Sequence, residues 1–259
     1  MKKKTIFLVL GIVLLLAAAG FVVRIVMTTY APAAVTEDYA PDLSEEAIPQ
    51  AVSDEEVEQS QEAPYVSPVD FDSLTAINED IYGWIYIPET NISYPVVQDP
   101  EDNSYYLTHN TDREYSANGS IFSEVTYNAK DFTTDPVVIL YGHHMPSGDM
   151  FGNMQQYYMD EDFFSKDLPI VIYTEDVAYV YHVFAAVPYS NDHILYYNDF
   201  SDQAVFEEFF AGIMETRSLN AVFNEEYAPQ YGDKVLILST CLIGNNTQRF
   251  LVMATLQEN

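Results

Sequence analysis

The chain has one cysteine, Cys241, in 259 residues. A disulfide within the chain is therefore excluded, and a lone sulfur makes a poor metal site. The thiol is left as inert, intermolecular or reactive. Positive charge is almost as scarce, with ten Lys and Arg against forty Asp and Glu and a formal net charge of −30. Beyond residue 24 the only basic side chains are Arg113, Lys130, Lys166, Arg217, Lys234 and Arg249. Phosphate binding needs clustered Lys and Arg, so nucleic acid is excluded as a partner. The excess of acid reads as a solvated exterior, with at most a weak pull on a cationic amine. No internal repeat and no heptad pattern occurs, which sets aside solenoids and coiled coils.

What the chain does have begins at its N-terminus. Lys2, Lys3 and Lys4 precede an uncharged apolar run over residues 5–23, and Arg24 closes it. A run of that length suffices for a helix to cross a bilayer. Positive charge ahead of it holds that end in the cytoplasm and puts the rest on the extracellular face. The reading is a retained transmembrane anchor over 1–27. The alternative is a cleavable signal peptide, for which Ala17, Ala18 and Ala19 supply small residues after a shorter core. Apolarity that resumes at Gly20, Phe21, Val22 and Val23 favours retention. Residues 28–67 then form an acidic extracytoplasmic linker: 28–64 hold ten Asp or Glu, no Lys or Arg and few large apolar side chains. Such a segment cannot bury enough surface to offset its ordering entropy. The folded domain is expected over 68–259.

That domain reads as mainly β. Runs rich in Val, Ile, Tyr and Phe predict eight strands, over 81–87, 92–97, 119–123, 137–141, 170–173, 179–187, 234–240 and 250–256. Turn formers such as Ser147-Gly148-Asp149 separate them, which suits a barrel or sandwich. Two helices are expected. One covers 70–78. The other covers 201–215, with Ser201 as cap and Val205, Phe206, Phe209, Phe210, Ile213 and Met214 as an apolar stripe for core packing.

Cys241 closes the apolar run 234–240, and Arg249 opens the next one eight residues later. A thiol attacks as its thiolate, so a nucleophilic cysteine requires an imidazole or a cation beside it. Of the five histidines, His143 and His144 follow the strand 137–141 through Gly142, where a rigid strand gives way to a loop. His182 lies within a strand pattern and reads as a hydrogen-bonded structural residue, while His109 and His193 sit among polar residues and read as exposed. If the strands around Cys241 and Arg249 are antiparallel neighbours joined by a loop over 242–248, both side chains flank one cleft. Arg249 can then hold negative charge developing on a carbonyl oxygen. Outside that context it is a surface arginine paired with a carboxylate.

The chain resembles a class B sortase. The resemblance rests on Leu238-Ser239-Thr240-Cys241, on Gln248-Arg249-Phe250-Leu251-Val252 and on Tyr141-Gly142-His143-His144-Met145. Further matches are Gly83-Trp84-Ile85, Thr90-Asn91-Ile92 with Tyr94-Pro95-Val96-Val97-Gln98, and Asn118-Gly119-Ser120-Ile121-Phe122. Each motif alone is weak, and together they cover nearly the whole exported domain.

The resemblance implies an eight-stranded closed sortase-type β-barrel with an N-terminal helical extension and a helix between strands six and seven. It implies a cysteine transpeptidase that cuts a C-terminal sorting signal of secreted surface proteins and joins the new carboxyl end to an amine of a peptidoglycan precursor or a pilin, without cofactor or metal. Carried over residue by residue, Cys241 is the nucleophile, His143 the acid-base group and Arg249 the oxyanion-stabilising group. Asn103, Leu107 and Ser239 would contact the sorting-signal peptide. A hydrolase using the same site, or a surface binding protein that has lost catalysis, remains an alternative from the residues alone.

Overall fold

The computed structural model describes residues 41, 43 and 65–257. The expected anchor over 1–27 and nearly all of the expected linker lie outside the described residues. No helix among the described residues is long and apolar enough to cross a membrane.

Helix α1 (Phe71–Ile77) leads into β1 (Ile81–Tyr86) and β2 (Ser93–Val97), followed by a 3₁₀ turn (Tyr105–Leu107) and the two-residue strand β3 (Ile121–Phe122). Then come β4 (Val137–Tyr141), α2 (Met154–Met159), α3 (Glu161–Phe164), β5 (Ile170–Tyr173) and β6 (Ala178–Tyr189). Helices α4 (Ile194–Tyr197) and α5 (Gln203–Met214), β7 (Val222–Phe223), a 3₁₀ turn (Glu225–Tyr227), β8 (Val235–Leu242) and β9 (Asn245–Leu256) complete the order. The strands pair as β5-β1-β2-β3-β4-β8-β9-β6, and β6 pairs back onto β5. That closes an eight-stranded barrel, with β7 an extra strand beside β6 outside the ring. All eight expected strands are present. α1 and α5 are the expected helices, and α5 lies between the sixth and seventh strands of the ring.

Alternation along the strands explains the two cores. Val138 and Leu140 of β4, Leu236 and Leu238 of β8, and Phe250, Val252 and Ala254 of β9 fill the barrel interior. Their neighbours Val137, Ile139, Val235, Ile237, Leu251 and Met253 face outward, against Phe200 and the Phe206, Phe210 and Ile213 stripe of α5. A strand covered on both faces carries an unbroken apolar run, which is why 235–238 shows no polar alternation. On the other flank, Phe71 and Leu74 of α1 cover the fully buried Trp84 together with Val97 and Tyr173.

Three expectations are corrected. Asp202, not Ser201, caps α5, because its carboxylate accepts from Ala204 N (2.8 Å) and Val205 N (3.3 Å), while the Ser201 hydroxyl turns back to Asp199 (2.6 Å). No loop spans 242–248: β8 runs through Leu242, β9 begins at Asn245, and Ile243-Gly244 makes the turn, with Gly244 at φ 75°. A ladder irregularity after Cys241 absorbs the three residues 246–248, and that hides the long hairpin from a reading of apolar runs. Finally, His109 and His193 are only partly exposed. His109 stacks on Tyr105 with centroids 4.0 Å apart, and His193 Nε2 meets Glu124 Oε2 at 2.8 Å.

Candidate active site

Three adjacent strands carry the three candidate catalytic residues or lead into them. β8 lies between β4, which is parallel to it, and β9, which is antiparallel. On the β9 side Cys241 is in direct register with Arg249. On the β4 side Tyr141 is in register with Ser239, the last pair of that ladder, which Gly142 N closes by donating to Ser239 O (3.1 Å). Continuing that register puts His143 level with Cys241. Side-chain parity puts His143, Cys241 and Arg249 in one row on the barrel's outer face, next to the row of Tyr141, Ser239 and Leu251. Tyr189 of β6 pairs with Arg249 and extends the row. Residues 141, 143, 241 and 249 are all half-buried, whereas Ser239 and Leu251, one step down, are buried. The row therefore begins where the cover of α5 runs out.

Arg249 Nη1 donates to Cys241 Sγ at 3.3 Å, and the same nitrogen reaches Asn246 O at 3.5 Å. A thiolate accepts such a charge-assisted bond more strongly than a thiol does. Cys241 is a free thiol, partly exposed, with a cation in hydrogen-bond contact.

His143 is held differently. Its Nε2 lies 2.8 Å from the carbonyl oxygen of Leu107. A carbonyl can only accept, so Nε2 carries a proton in this arrangement. His144, one residue on, leaves the row and forms a β-bridge with Met150. Phe151 N donates to His143 O (3.1 Å), which folds the segment after His143 back on itself. Gly142 makes this possible, because a Cβ there would stand 2.5 Å from Ile121 Cδ1 and 2.6 Å from Phe151.

The softer candidates separate. Leu107 is exposed beside His143, and Ser239 is buried in the row below Cys241. Asn103 has a local bond instead: its side-chain oxygen accepts from Thr126 N (3.1 Å) and fastens the segment after β3. His182 lies on β6, stacked on Tyr227 and bonded to Gln257 Oε1 (3.1 Å).

Two features had no signal in the sequence. One is the Leu107 carbonyl, which no side-chain pattern can reveal. The other is the Glu124–His193 pair, which ties the segment between β6 and α4 to the segment after β3. Between that pair and Arg249 stands Tyr141. Burial first, then the charge and hydrogen bond of Glu124, push its hydroxyl far above the usual phenol value, and Arg249 pulls the other way. Tyr141 thus stays a neutral donor. A hollow of about 420 Å³ lined by Tyr127, Asp135 and residues 195–201 opens farther along, near the start of β4, and holds none of the row.

Comparison with known proteins gives one consistent result. A family model described as the sortase domain matches residues 85–257. Sortase B of Listeria monocytogenes is 31% identical over 169 residues, and the match spans 65% of this chain and 65% of that relative's length. The crystal structure of sortase B from B. anthracis in complex with AAEK1 aligns with a TM-score of 0.63 at 30% identity, covering 78% of this chain and 90% of that one. The Staphylococcus aureus sortase B–substrate complex aligns with a TM-score of 0.63 at 29% identity, covering 75% and 87%. The closed barrel, the single thiol in its row and these matches agree, and the chain belongs to the sortase family, in its class B, a family of cysteine transpeptidases.

Proposed function

We propose that this chain is an extracytoplasmic transpeptidase that cleaves the C-terminal sorting signal of a secreted protein and transfers it to an amine of the cell wall or of a pilin. Cys241 thiolate attacks the carbonyl carbon of the signal threonine. The C–S bond forms and the carbonyl π pair moves to oxygen. Arg249 stabilises that oxyanion. Collapse breaks the C–N bond, and His143 supplies the proton that the departing amine takes, leaving a thioester. The incoming amine then gives a proton to His143, attacks the thioester and expels the thiolate. Leu107 and Ser239 are candidates to contact the signal peptide, and Asn103 is a weaker one because its oxygen already holds Thr126 N. Residues 1–27 would keep the enzyme in the membrane by a single span, with 28–67 as a tether and 68–259 as the catalytic domain.

The observation that supports this most is the Arg249–Cys241 contact at 3.3 Å, with His143 two residues beyond the end of β4 on the other side of β8. The decisive experiment uses mass spectrometry on a sorting-signal peptide with an amine acceptor. Cys241→Ala should yield no thioester and no transfer product while keeping the wild-type fold. His143→Ala should be inactive too, and His144→Ala should stay within severalfold of wild type, since His144 leaves the row. Transfer by Cys241→Ala would end the proposal. Release of a free acid at equal rate with and without amine would make the enzyme a hydrolase.

A further inference from the structure

A catalytic imidazole needs something to fix its orientation and tautomer, often a carboxylate bonded to the second ring nitrogen. No carboxylate is found in hydrogen-bond contact with His143 among the described residues. Its Nε2 faces the main chain at Leu107. That carbonyl ends the 3₁₀ turn Tyr105–Leu107, and the centre of the turn is unusually well tied down.

Tyr106 is 1% exposed, and its hydroxyl donates to Asp80 Oδ2 at 2.6 Å while accepting from Asn78 Nδ2 at 2.8 Å. Asp80, at 2% exposure, is a buried carboxylate just ahead of β1. Arg113 Nη1 pairs with it, Arg113 Nη2 reaches Asp99 Oδ2 at 3.1 Å, and Lys130 Nζ stands 3.8 Å away. The guanidinium also lies 4.9 Å over the Tyr105 ring. A second clamp acts on the backbone. Ser120 N donates to Tyr106 O (3.0 Å), and Gly119, at φ 60°, lies so close that a Cβ there would sit 2.5 Å from Tyr106 O and 2.8 Å from Leu107 O. None of these residues lies in the row of Cys241. All of them converge on the one turn that presents an acceptor to His143.

We propose that the buried Tyr106–Asp80–Arg113 network is a positioning device for the proposed catalytic histidine: it holds the Leu107 carbonyl where it fixes the proton on His143 Nε2 and leaves Nδ1 to exchange protons in the reaction. Tyr106, Asp80 and Arg113 are positioning residues, acting through a main-chain oxygen in the place where other enzymes use a carboxylate. A fully buried carboxylate with two cations has ample strength to hold a turn, because breaking such a pair leaves an uncompensated buried charge. The inference rests on His143 being the acid-base group.

The test is made on the full-length chain with ¹⁵N-labelled histidine. In the wild type, the neutral imidazole of His143 should show a protonated Nε2 and a bare Nδ1. Tyr106→Phe removes the hydroxyl alone and should turn this signature into a mixture of both tautomers. It should also lower kcat by about tenfold to a hundredfold with KM little changed, the scale expected when a reacting group is misplaced by a fraction of an ångström to an ångström. Should Tyr106→Phe fail to fold, Arg113→Gln serves, since that side chain is 41% exposed; it should give the same change in smaller degree. A wild-type His143 that is protonated at Nδ1, or a folded variant with the wild-type tautomer and kcat, overturns the inference. Transfer by His143→Ala would instead sink the catalytic reading while leaving the tautomer result standing, so the two failures are distinguishable.

Discussion

β8 is one strand in two environments. From Val235 to Leu238 it is covered on both faces, by the barrel interior and by α5. At Cys241 the inner face is still barrel but the outer face is open, and the residue is half-buried. The difference teaches where a barrel can host chemistry. A double-covered stretch contributes burial and nothing else, whereas the stretch beyond the helix keeps the strand's rigidity and leaves the Cys241 thiol partly exposed beside Arg249, its partner in register. Arg249 reaches Cys241 from β9, and His143 follows the end of β4 on the other side of β8, because β4 and β9 flank β8 on opposite sides.

If the two stretches divide the work in this way, damage to each should be separable. The largest stability effect should come from Phe210→Ala in α5, which opens a cavity over the covered stretch. A loss of about 3–5 kcal/mol is expected in denaturant unfolding, with the rate of Cys241 acylation per folded molecule unchanged. Acylation that falls in step with stability would mean the two stretches are not independent. Arg249→Ala is the mirror experiment. It should lower kcat by roughly a hundredfold to a thousandfold, the usual cost of removing an oxyanion donor, and leave the unfolding midpoint nearly unchanged.

The boundary itself can be read in alkali. Burial pushes the hydroxyls of Tyr82, Tyr158 and Tyr181 well above the ordinary phenol value, and burial with Glu124 does so for Tyr141. The unfolded chain ionises these groups near pH 10, at about the ordinary phenol pKa. Above that pH it binds fewer protons than the folded chain, so stability is fully present below about pH 10 and falls as the pH rises further. Ultraviolet titration should show these four tyrosines ionising only on unfolding, in a step that coincides with loss of near-ultraviolet circular dichroism. Smooth ionisation of all tyrosines without unfolding would show that the covered stretch admits water. The smallest effect belongs to the edge of the cover: Asp202→Ala should cost about 1 kcal/mol through loss of the α5 cap, with no change in transfer rate.

Much of this was legible in the residues. The eight strands were, because apolar runs of Val, Ile and Tyr bounded by turn formers are a local signal that the sequence carries by itself. So was the thiol as the candidate nucleophile, because with no second cysteine it cannot form a disulfide within the chain. The cap of α5 was misread by one position, since Ser201 and Asp202 are both good caps and only the finished loop shows that Ser201 is occupied by Asp199. The hairpin at 242–245 was misread because Asn245, Asn246, Thr247 and Gln248 are polar, and propensity cannot see a strand stabilised by register with its neighbour. The short helices α2, α3 and α4 carry too few residues for a periodic signal.

By itself the sequence determined the inventory: a single cysteine, a histidine at a strand end, an arginine ahead of an apolar run and enough alternating apolar residues to build a barrel around them. Those are matters of covalent identity and of short-range periodicity, which act over a few residues. Tertiary structure decided the rest. The pairing of β1 with β5 and of β6 with β9 that completes the ring, the parallel register of β4 on β8, and the meeting of His143 with the carbonyl of Leu107 join residues far apart along the chain. Such contacts follow from hydrogen-bond ladders and buried charge that exist only once the barrel has closed.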